Sequence, residues 1–245
     1  MLVASLTQNA MTQEAGFRIE TDVFVSTEQG PLQQTLTLFS AGVGYDLSLD
    51  GSDEITMVDP AGDRIVLLNK KHKLKSLIKI SQLEKLMTSA RNQAANTDLA
   101  VYLKGAENVV NDGDTITVGD LQLQYSATLQ SPPDPGLAKA TAEQYRAFAD
   151  ALIQYNSFRT GSVPPFARIA LNAAVCQQVS LPLEIVRTTN VGKGEAVVRS
   201  RLLPIWLLGK SDVAKIAEIG EMLVTFEQVN EAEYRKRTDP SLVAK

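Results

Sequence analysis

The sequence has few of the residues on which many enzymes and metal proteins depend. Its 245 residues include one cysteine, Cys176, and one histidine, His72. A single histidine excludes zinc sites built from several imidazoles, and a single cysteine excludes a disulfide within the chain. We expect Cys176 to be a buried, inert thiol within an apolar helical pattern. His72 lies between lysines, and we expect it to be exposed to solvent.

The chain also lacks the common phosphate and cation motifs. Gly209-Lys210-Ser211 resembles the end of a phosphate-binding loop, but Pro204 stands where the first glycine of that loop is required. The turn Asn111–Asp114 offers carboxylates, but no glutamate follows at the spacing of a calcium loop. No pair of carboxylates lies within an apolar run. We therefore predict no catalytic residues, no metal ligands and no cofactor, and an enzyme is the third of three hypotheses.

Long apolar runs are absent as well. No stretch approaches the roughly 20 apolar residues that span a membrane, so no transmembrane segment is expected. Residues Met1–Leu6 are too short for the apolar core of a secretory leader and carry no basic residue. A leader removed upstream would place the protein in the periplasm or outside the cell, and otherwise we expect the cytoplasm. Residues 1–15 predict a loose tail or a short helix.

What the sequence does contain is a regular alternation of apolar and polar residues. Phe17, Ile19 and Val23 alternate with charged residues, and Leu36 and Leu38 alternate with threonines. This period of two is typical of strands with one covered face. About six such strands follow one another through short turns before residue 80. Parallel pairing would need long crossover connections, so the pattern predicts an antiparallel meander.

The second half of the chain changes to a helical period after the proline-rich linker at residues 131–136. The sequence predicts a single α+β domain over residues 1–245. Residues 17–130 form a β-meander with one helix, and residues 137–245 form helices plus a β-hairpin that completes the sheet. We predict a large curved antiparallel sheet, an incomplete barrel, with helices packed on its concave face. The apolar stripes that would cover this face lie in predicted helices 81–95, 141–159 and 211–233.

Three local patterns give more specific predictions. Capping boxes at Ser81–Glu84 and Thr141–Gln144 predict that helices begin there, because each side chain can satisfy the other residue's backbone donor. The apolar run Leu99–Leu103 predicts a strand.

Charge is unevenly distributed along the chain. Residues 64–91 contain eight Lys or Arg and one acid, a local charge of +7, which leaves −11 for the remainder. This segment predicts either a solvated sheet edge or a surface that docks an acidic partner. Nucleic acid is not expected, because no aromatic residue for base stacking lies within the segment. The candidate contacts for an anionic partner are Lys70, Lys71, Lys73 and Lys75.

The order of elements over residues 17–130, and the strand, Asp59-Pro60 turn and strand over Ile55–Leu68, resemble the outer-membrane lipoprotein carrier and sorting family. The resemblance implies an incomplete barrel closed by helices on its concave side. It also implies a curved apolar surface that receives acyl chains or another apolar partner.

The first functional hypothesis is a non-enzymatic binding or carrier protein of the cell envelope for lipid-like or apolar partners, such as the acyl chains of lipoproteins. A site forms only where the helices cover the sheet incompletely, since complete cover gives a dry core. The alternative is a structural or interaction module that docks an acidic protein through residues 64–91. The residues predicted to face an apolar cavity are Phe17, Val23, Leu36, Leu38 and Trp206.

Overall fold

The computed structural model describes residues 16–25, 30–159, 162–191 and 194–238. The predicted tail over residues 1–15 lies outside the described residues.

The described residues form one sheet of 12 strands. In chain order these are β1 (Phe17–Val25), β2 (Gln33–Ser40), β3 (Val43–Ser48), β4 (Glu54–Asp59), β5 (Arg64–Asn69), β6 (Leu74–Lys79), β7 (Val109–Asp112), β8 (Thr115–Gly119), β9 (Leu123–Gln130), β10 (Leu181–Val191), β11 (Gly194–Ile205) and β12 (Glu227–Val229).

The strand order is β12-β6-β5-β4-β3-β2-β1-β11-β10-β9-β8-β7, so the sheet is open, with β12 and β7 at its edges. All pairs are antiparallel except β12 with β6. The meander predicted for the first six strands is confirmed. The predicted hairpin, β10 with β11, lies in the interior of the sheet, where it joins β1 to β9.

Six helices accompany the sheet in the described ranges. They are α1 (Ile80–Ala94), α2 (Ala100–Gly105), α3 (Pro135–Asn156), α4 (Phe166–Gln177), α5 (Lys210–Thr225) and α6 (Glu231–Thr238). The predicted α+β class with a large open antiparallel sheet is confirmed.

Two elements differ from the sequence prediction. The run Leu99–Leu103, predicted as a strand, contributes to helix α2, because five apolar residues are too few to distinguish the two periods. The helix predicted over 211–233 is divided into α5, β12 and α6. Phe226 takes an extended conformation after α5, and the chain then pairs with the free edge of β6.

The predicted capping boxes are not where helices begin. Helix α1 begins at Ile80, and the Asp63 carboxylate accepts hydrogen bonds from both the backbone N–H and the hydroxyl of Ser81, each at 2.7 Å. Helix α3 begins at Pro135, and Asp134 caps it by accepting from the Gly136 N–H at 2.8 Å. A carboxylate outside each box therefore meets the first backbone donors.

Helices cover both faces of the sheet. Residues directly opposite in an antiparallel pair share a face, so Phe17 and Phe39 lie on one face, while Arg18 and Leu38 lie on the other. We call the first the α3 face, where the largest core cluster joins the sheet to residues of α1, α3, α4 and α6. The second is the α5 face, where α5 packs on β2 to β5. The shared face predicted for all three long helices holds for α1 and α3, whereas α5 lies opposite them.

Candidate ligand site beneath helix α3

Three cavities lie along α3 where it crosses the α3 face. The central cavity, about 240 Å³, lies between Ile19 and Phe39 of the sheet and Phe148 and Leu152 of the helix. The outer cavity, about 270 Å³, continues from it toward the C-terminal end of α3. We call these two together the α3 channel, because they share the lining residues Gln33, Thr35, Asp46, Leu152 and Asn156.

The third cavity, which we call the Trp206 cavity, lies at the N-terminal end of α3. It has a volume of about 320 Å³ and is lined by Phe17, Leu137, Gln144 and Trp206 among others. Its lining is more apolar than that of the outer cavity, which holds mostly polar side chains.

An aromatic cluster separates the Trp206 cavity from the α3 channel. The rings of Phe17 and Phe39 stack with centroids 4.3 Å apart, and Phe148 meets Phe39 edge-on at 5.2 Å. Trp206 lies on the other side of Phe17, with ring centroids 6.5 Å apart. These are the separations that favourable aromatic pairs adopt, so the apolar end of the α3 channel has a fixed wall.

The channel exists because the strands beneath α3 present small or polar residues to it. Gly44 of β3 lies directly under the Phe148 ring, and a Cβ atom there would lie 2.4 Å from the ring. The glycine therefore lets α3 approach closely at one point. Beyond it, Asp46 of β3 and the threonines Thr21 and Thr35 line the cavity, where larger apolar residues would have filled the space.

Asp46 lies at the junction of the central and outer cavities, since it lines both. The Thr37 hydroxyl donates a hydrogen bond of 2.7 Å to its carboxylate. Burial raises the pKa of Asp46 above its ordinary value, and hydrogen bonds from Thr37 and Thr35 oppose that rise. No ion pair formed by the described residues includes Asp46.

The mouth of the outer cavity is acidic. Asp50 and Glu54 line it together with one base, Arg159. The guanidinium of Arg159 lies over the Tyr155 ring at 5.3 Å. The Ser48 hydroxyl donates to the Asp50 carboxylate, and this bond lowers the pKa of Asp50. Asp50 is therefore ionised at neutral pH, and the mouth attracts cations more than anions.

A second polar network joins α3 to α4 beside the central cavity. Asn172 donates to the Asp150 carboxylate at 2.8 Å, and Arg168 donates to the Asn172 side chain at 2.9 Å. Arg146 also pairs with Asp150, at 3.3 Å. Burial raises the pKa of Asp150, although these partners oppose it. Because each member of this network has a partner, we assign it to holding the two helices together.

The residues predicted to line one apolar cavity are divided among three places. Phe17 and Trp206 line the Trp206 cavity, and Val23 lines the central cavity. Leu36 and Leu38 lie on the α5 face, packed with Leu208. The reason is strand register, because Leu36 lies opposite Glu20 rather than opposite Phe17.

The basic segment is likewise divided. Lys70, Lys71 and Lys73 are exposed at the turn between β5 and β6, and His72 is exposed among them as predicted. Lys75 instead donates to the backbone carbonyl of Leu223 at the end of α5. Arg64 lies at the opposite end of the hairpin, where it pairs with Asp59 at 2.9 Å.

Elsewhere, a cleft of about 470 Å³ is lined by Glu20, Asp22, Glu184 and Arg201 among others. Cys176 is half-buried, rather than buried as predicted. Within the described ranges no group of three or more His, Cys, Asp or Glu side chains is placed to hold a metal ion. None of the helices in those ranges has the length and apolar character needed to cross a membrane.

No family model and no curated protein matches the chain. Among solved structures, one of PNGF-II is similar at 8% identity, with a TM-score of 0.39. The match covers 91% of this chain and 32% of that one, so this chain spans about a third of the length of the solved protein. A likeness at this level carries no argument about fold or function.

Proposed function

We propose that the protein is a non-enzymatic binding or carrier protein for an amphipathic ligand, whose apolar part occupies the α3 channel. The observation that carries this proposal is the incomplete packing between α3 and the sheet. Protein interiors are ordinarily close-packed, with few voids larger than a water molecule. The central cavity of about 240 Å³, partly open to solvent, leaves far more space than such voids, and it shares five lining residues with a second cavity of about 270 Å³.

The lining of the channel supports a ligand with two different ends. Phe39, Phe148 and Leu152 surround the inner part, whereas Asp46, Asp50 and other polar residues surround the outer part. Small-molecule sites commonly combine an apolar wall with a few placed polar groups, and volumes of about 300 Å³ and above are typical.

The resemblance of residues 17–130 to the outer-membrane lipoprotein carrier and sorting family agrees with this proposal, since it implies a curved apolar surface that receives acyl chains or another apolar partner. The Trp206 cavity, which includes two of the residues predicted from the sequence, is a further apolar surface beside the channel. The stacked rings of Phe17 and Phe39 lie between the Trp206 cavity and the α3 channel.

The proposal is tested with a neutral fluorescent probe, prodan, and a variant that fills the channel. Leu152 lines both cavities, so Leu152→Trp places a large ring at their junction. We expect saturable binding of prodan to the unmodified protein and roughly 10-fold weaker binding to Leu152→Trp, the loss expected when a hydrophobic pocket is filled. The measurement is fluorescence titration.

The matched control is Leu86→Trp, which adds the same ring at a leucine of α1 that is 46% exposed. This control should bind prodan as the unmodified protein does. Equal binding by Leu152→Trp, or no binding by the unmodified protein, would contradict the proposal. A loss confined to Leu137→Trp would instead place the probe in the Trp206 cavity.

A second candidate function rests on the exposed lysines at the β5–β6 turn. This turn exposes Lys70, Lys71 and Lys73, none of which is in an ion pair among the described residues. These three side chains are the proposed docking contacts for an acidic protein. Changing these three to Gln should weaken binding of a polyglutamate peptide in a salt-dependent way. The same change at three exposed lysines elsewhere that are in no described ion pair, Lys104, Lys210 and Lys236, is the control. Equal loss in both triple variants would show general charge attraction only.

A further inference from the structure

We propose that the polar end of the ligand is a primary ammonium group, and that Asp46 binds it at the junction of the two cavities of the α3 channel. The inference rests on the proposed function and deepens it, because it names the chemical class of the ligand: an apolar chain that ends in an amine.

The first step of the argument is the isolation of Asp46 from cations. Three other carboxylates that are largely shielded from solvent each have an arginine partner. Asp212 pairs with Arg18 at 3.2 Å, Asp59 with Arg64 at 2.9 Å, and Asp150 with Arg146 at 3.3 Å. Asp46 has hydroxyl donors instead. Asp46 is half-buried in the cavity wall. A carboxylate withdrawn from water without a cation is unfavourable for folding, and a cationic ligand group would relieve that cost.

The second step is the position of Asp46 along the channel. The central cavity ends at the rings of Phe39 and Phe148, and Asp46 lines the part where the outer cavity begins. A ligand whose apolar part occupies the central cavity can therefore present its polar end to Asp46. The hydroxyl of Thr37 holds the carboxylate in place.

The third step is the charge of the surroundings. Asp50 and Glu54 at the mouth favour the approach of a cation and oppose that of an anion. Two arginines also line the channel, and each already has a partner: Arg159 of the outer cavity lies over the Tyr155 ring, and Arg168 of the central cavity is bonded to Asn172. An ammonium group can donate three hydrogen bonds, and a carboxylate is its strongest partner.

The experiment compares three ligands with the same decyl chain in displacement of bound prodan. Decylamine is protonated at neutral pH, decanol is neutral and decanoate is negative. We expect decylamine to displace prodan at a concentration roughly 10-fold lower than decanol, the preference expected of a charge-assisted hydrogen bond. Decanoate should be the weakest of the three.

The variant Asp46→Asn should remove the preference for decylamine and leave decanol unchanged. Its matched control is Asp22→Asn, the same change on the neighbouring region of the sheet, where Asp22 lies on the α5 face opposite Gln34. This control should keep the preference. Thr37→Val, which removes the donor that holds the carboxylate, should reduce the preference by a smaller factor and serves if Asp46→Asn does not fold.

The outcomes separate this inference from the proposed function. Equal displacement by decylamine and decanol, or an unchanged preference in Asp46→Asn, overturns the ammonium assignment while the channel remains a ligand site. Absence of prodan binding to the unmodified protein overturns both.

Discussion

The two faces of the sheet are packed in different ways. On the α5 face, Ile219 and Met222 of the helix are buried against Met57 and Leu68 of the sheet. On the α3 face, the helix crosses strands whose small and polar side chains leave the cavities of the α3 channel. The same central strands take part in both contacts.

Both faces bury a hydrophobic core, and the α3 face also has cavities beneath its helix, which is why we propose the ligand site there. Strand β3 contributes to both, because Tyr45 and Leu47 pack with the clusters of the α5 face, while Gly44 and Asp46 face α3. Packing that is incomplete at a binding site reduces stability, and close packing elsewhere offsets that loss.

Matched isoleucine variants in the two helices should show the largest difference. Ile219 of α5 is 1% exposed, whereas Ile153 of α3 lines the central cavity and is only partly buried. We expect Ile219→Ala to lower the free energy of unfolding by about 3 kcal/mol, and Ile153→Ala by about 1 kcal/mol. Urea unfolding measures both. Equal losses would show that the two faces are packed alike.

The second largest difference should be in the unfolding free energies of two Asp→Asn variants. Asp212 accepts hydrogen bonds from the Gly209 N–H at 2.8 Å and from Arg18 at 3.2 Å, so Asp212→Asn should lower the free energy of unfolding by about 2 kcal/mol. Asp46 has no cation to lose, and Asp46→Asn should leave this free energy unchanged or raise it at neutral pH. A loss at Asp46 as large as that at Asp212 would argue for a structural role of Asp46.

The pH dependence of stability should also show that the ionised Asp46 is unfavourable in the folded protein. Burial raises the pKa of Asp46 in the folded protein above its value in the unfolded chain. The folded state therefore binds this proton more tightly, and the contribution of Asp46 to stability falls as pH rises from the unfolded pKa through the folded pKa. The difference in unfolding free energy between Asp46→Asn and the unmodified protein should thus grow as the carboxylate ionises. A difference that is constant with pH would contradict the raised pKa.

The smallest effects concern the lysines of the β5–β6 hairpin. Lys75 donates to the Leu223 carbonyl at the C-terminal end of α5, so Lys75→Met should lower the free energy of unfolding by about 0.5–1 kcal/mol. Lys71 is exposed at the turn, and Lys71→Met should change it by less than about 0.5 kcal/mol. Thermal unfolding of both variants makes the comparison, and a larger effect at Lys71 would assign the turn a structural role.

Local pattern was enough to predict most of the sheet. The alternation around Phe17 and Ile19, and the Asp59-Pro60 turn, fix strands and register between neighbours in the chain. The placement of α5 depends on contacts between distant residues, which no local period encodes. The sequence did contain one sign of a second covered face: Ile65–Leu68 are four consecutive apolar residues, the pattern of a strand covered on both faces. All four are buried in the structure.

The channel was harder to predict than the sheet. Alternation treats Asp46 as a solvent-facing residue between Tyr45 and Leu47, and only the position of α3 turns that exposed side into a cavity wall. The available signal was the pair Gly44 and Asp46, a small and a charged residue on the side of β3 where Phe39 of the neighbouring strand β2 is buried. Thr35 and Thr37 line the central cavity for the same reason.

The position of the β10–β11 hairpin inside the sheet has a consequence for how the chain acquires its structure during synthesis. β1 pairs with β11, and Arg18 lies opposite Ile205. The edge of β1 therefore stays unpaired until β11 has been synthesised. Contacts between such distant residues form slowly, because a long loop has to be ordered first. Until α5 and β11 have left the ribosome, Leu38 and Leu68 lack their cover, and we expect the nascent chain to be prone to aggregation over that interval.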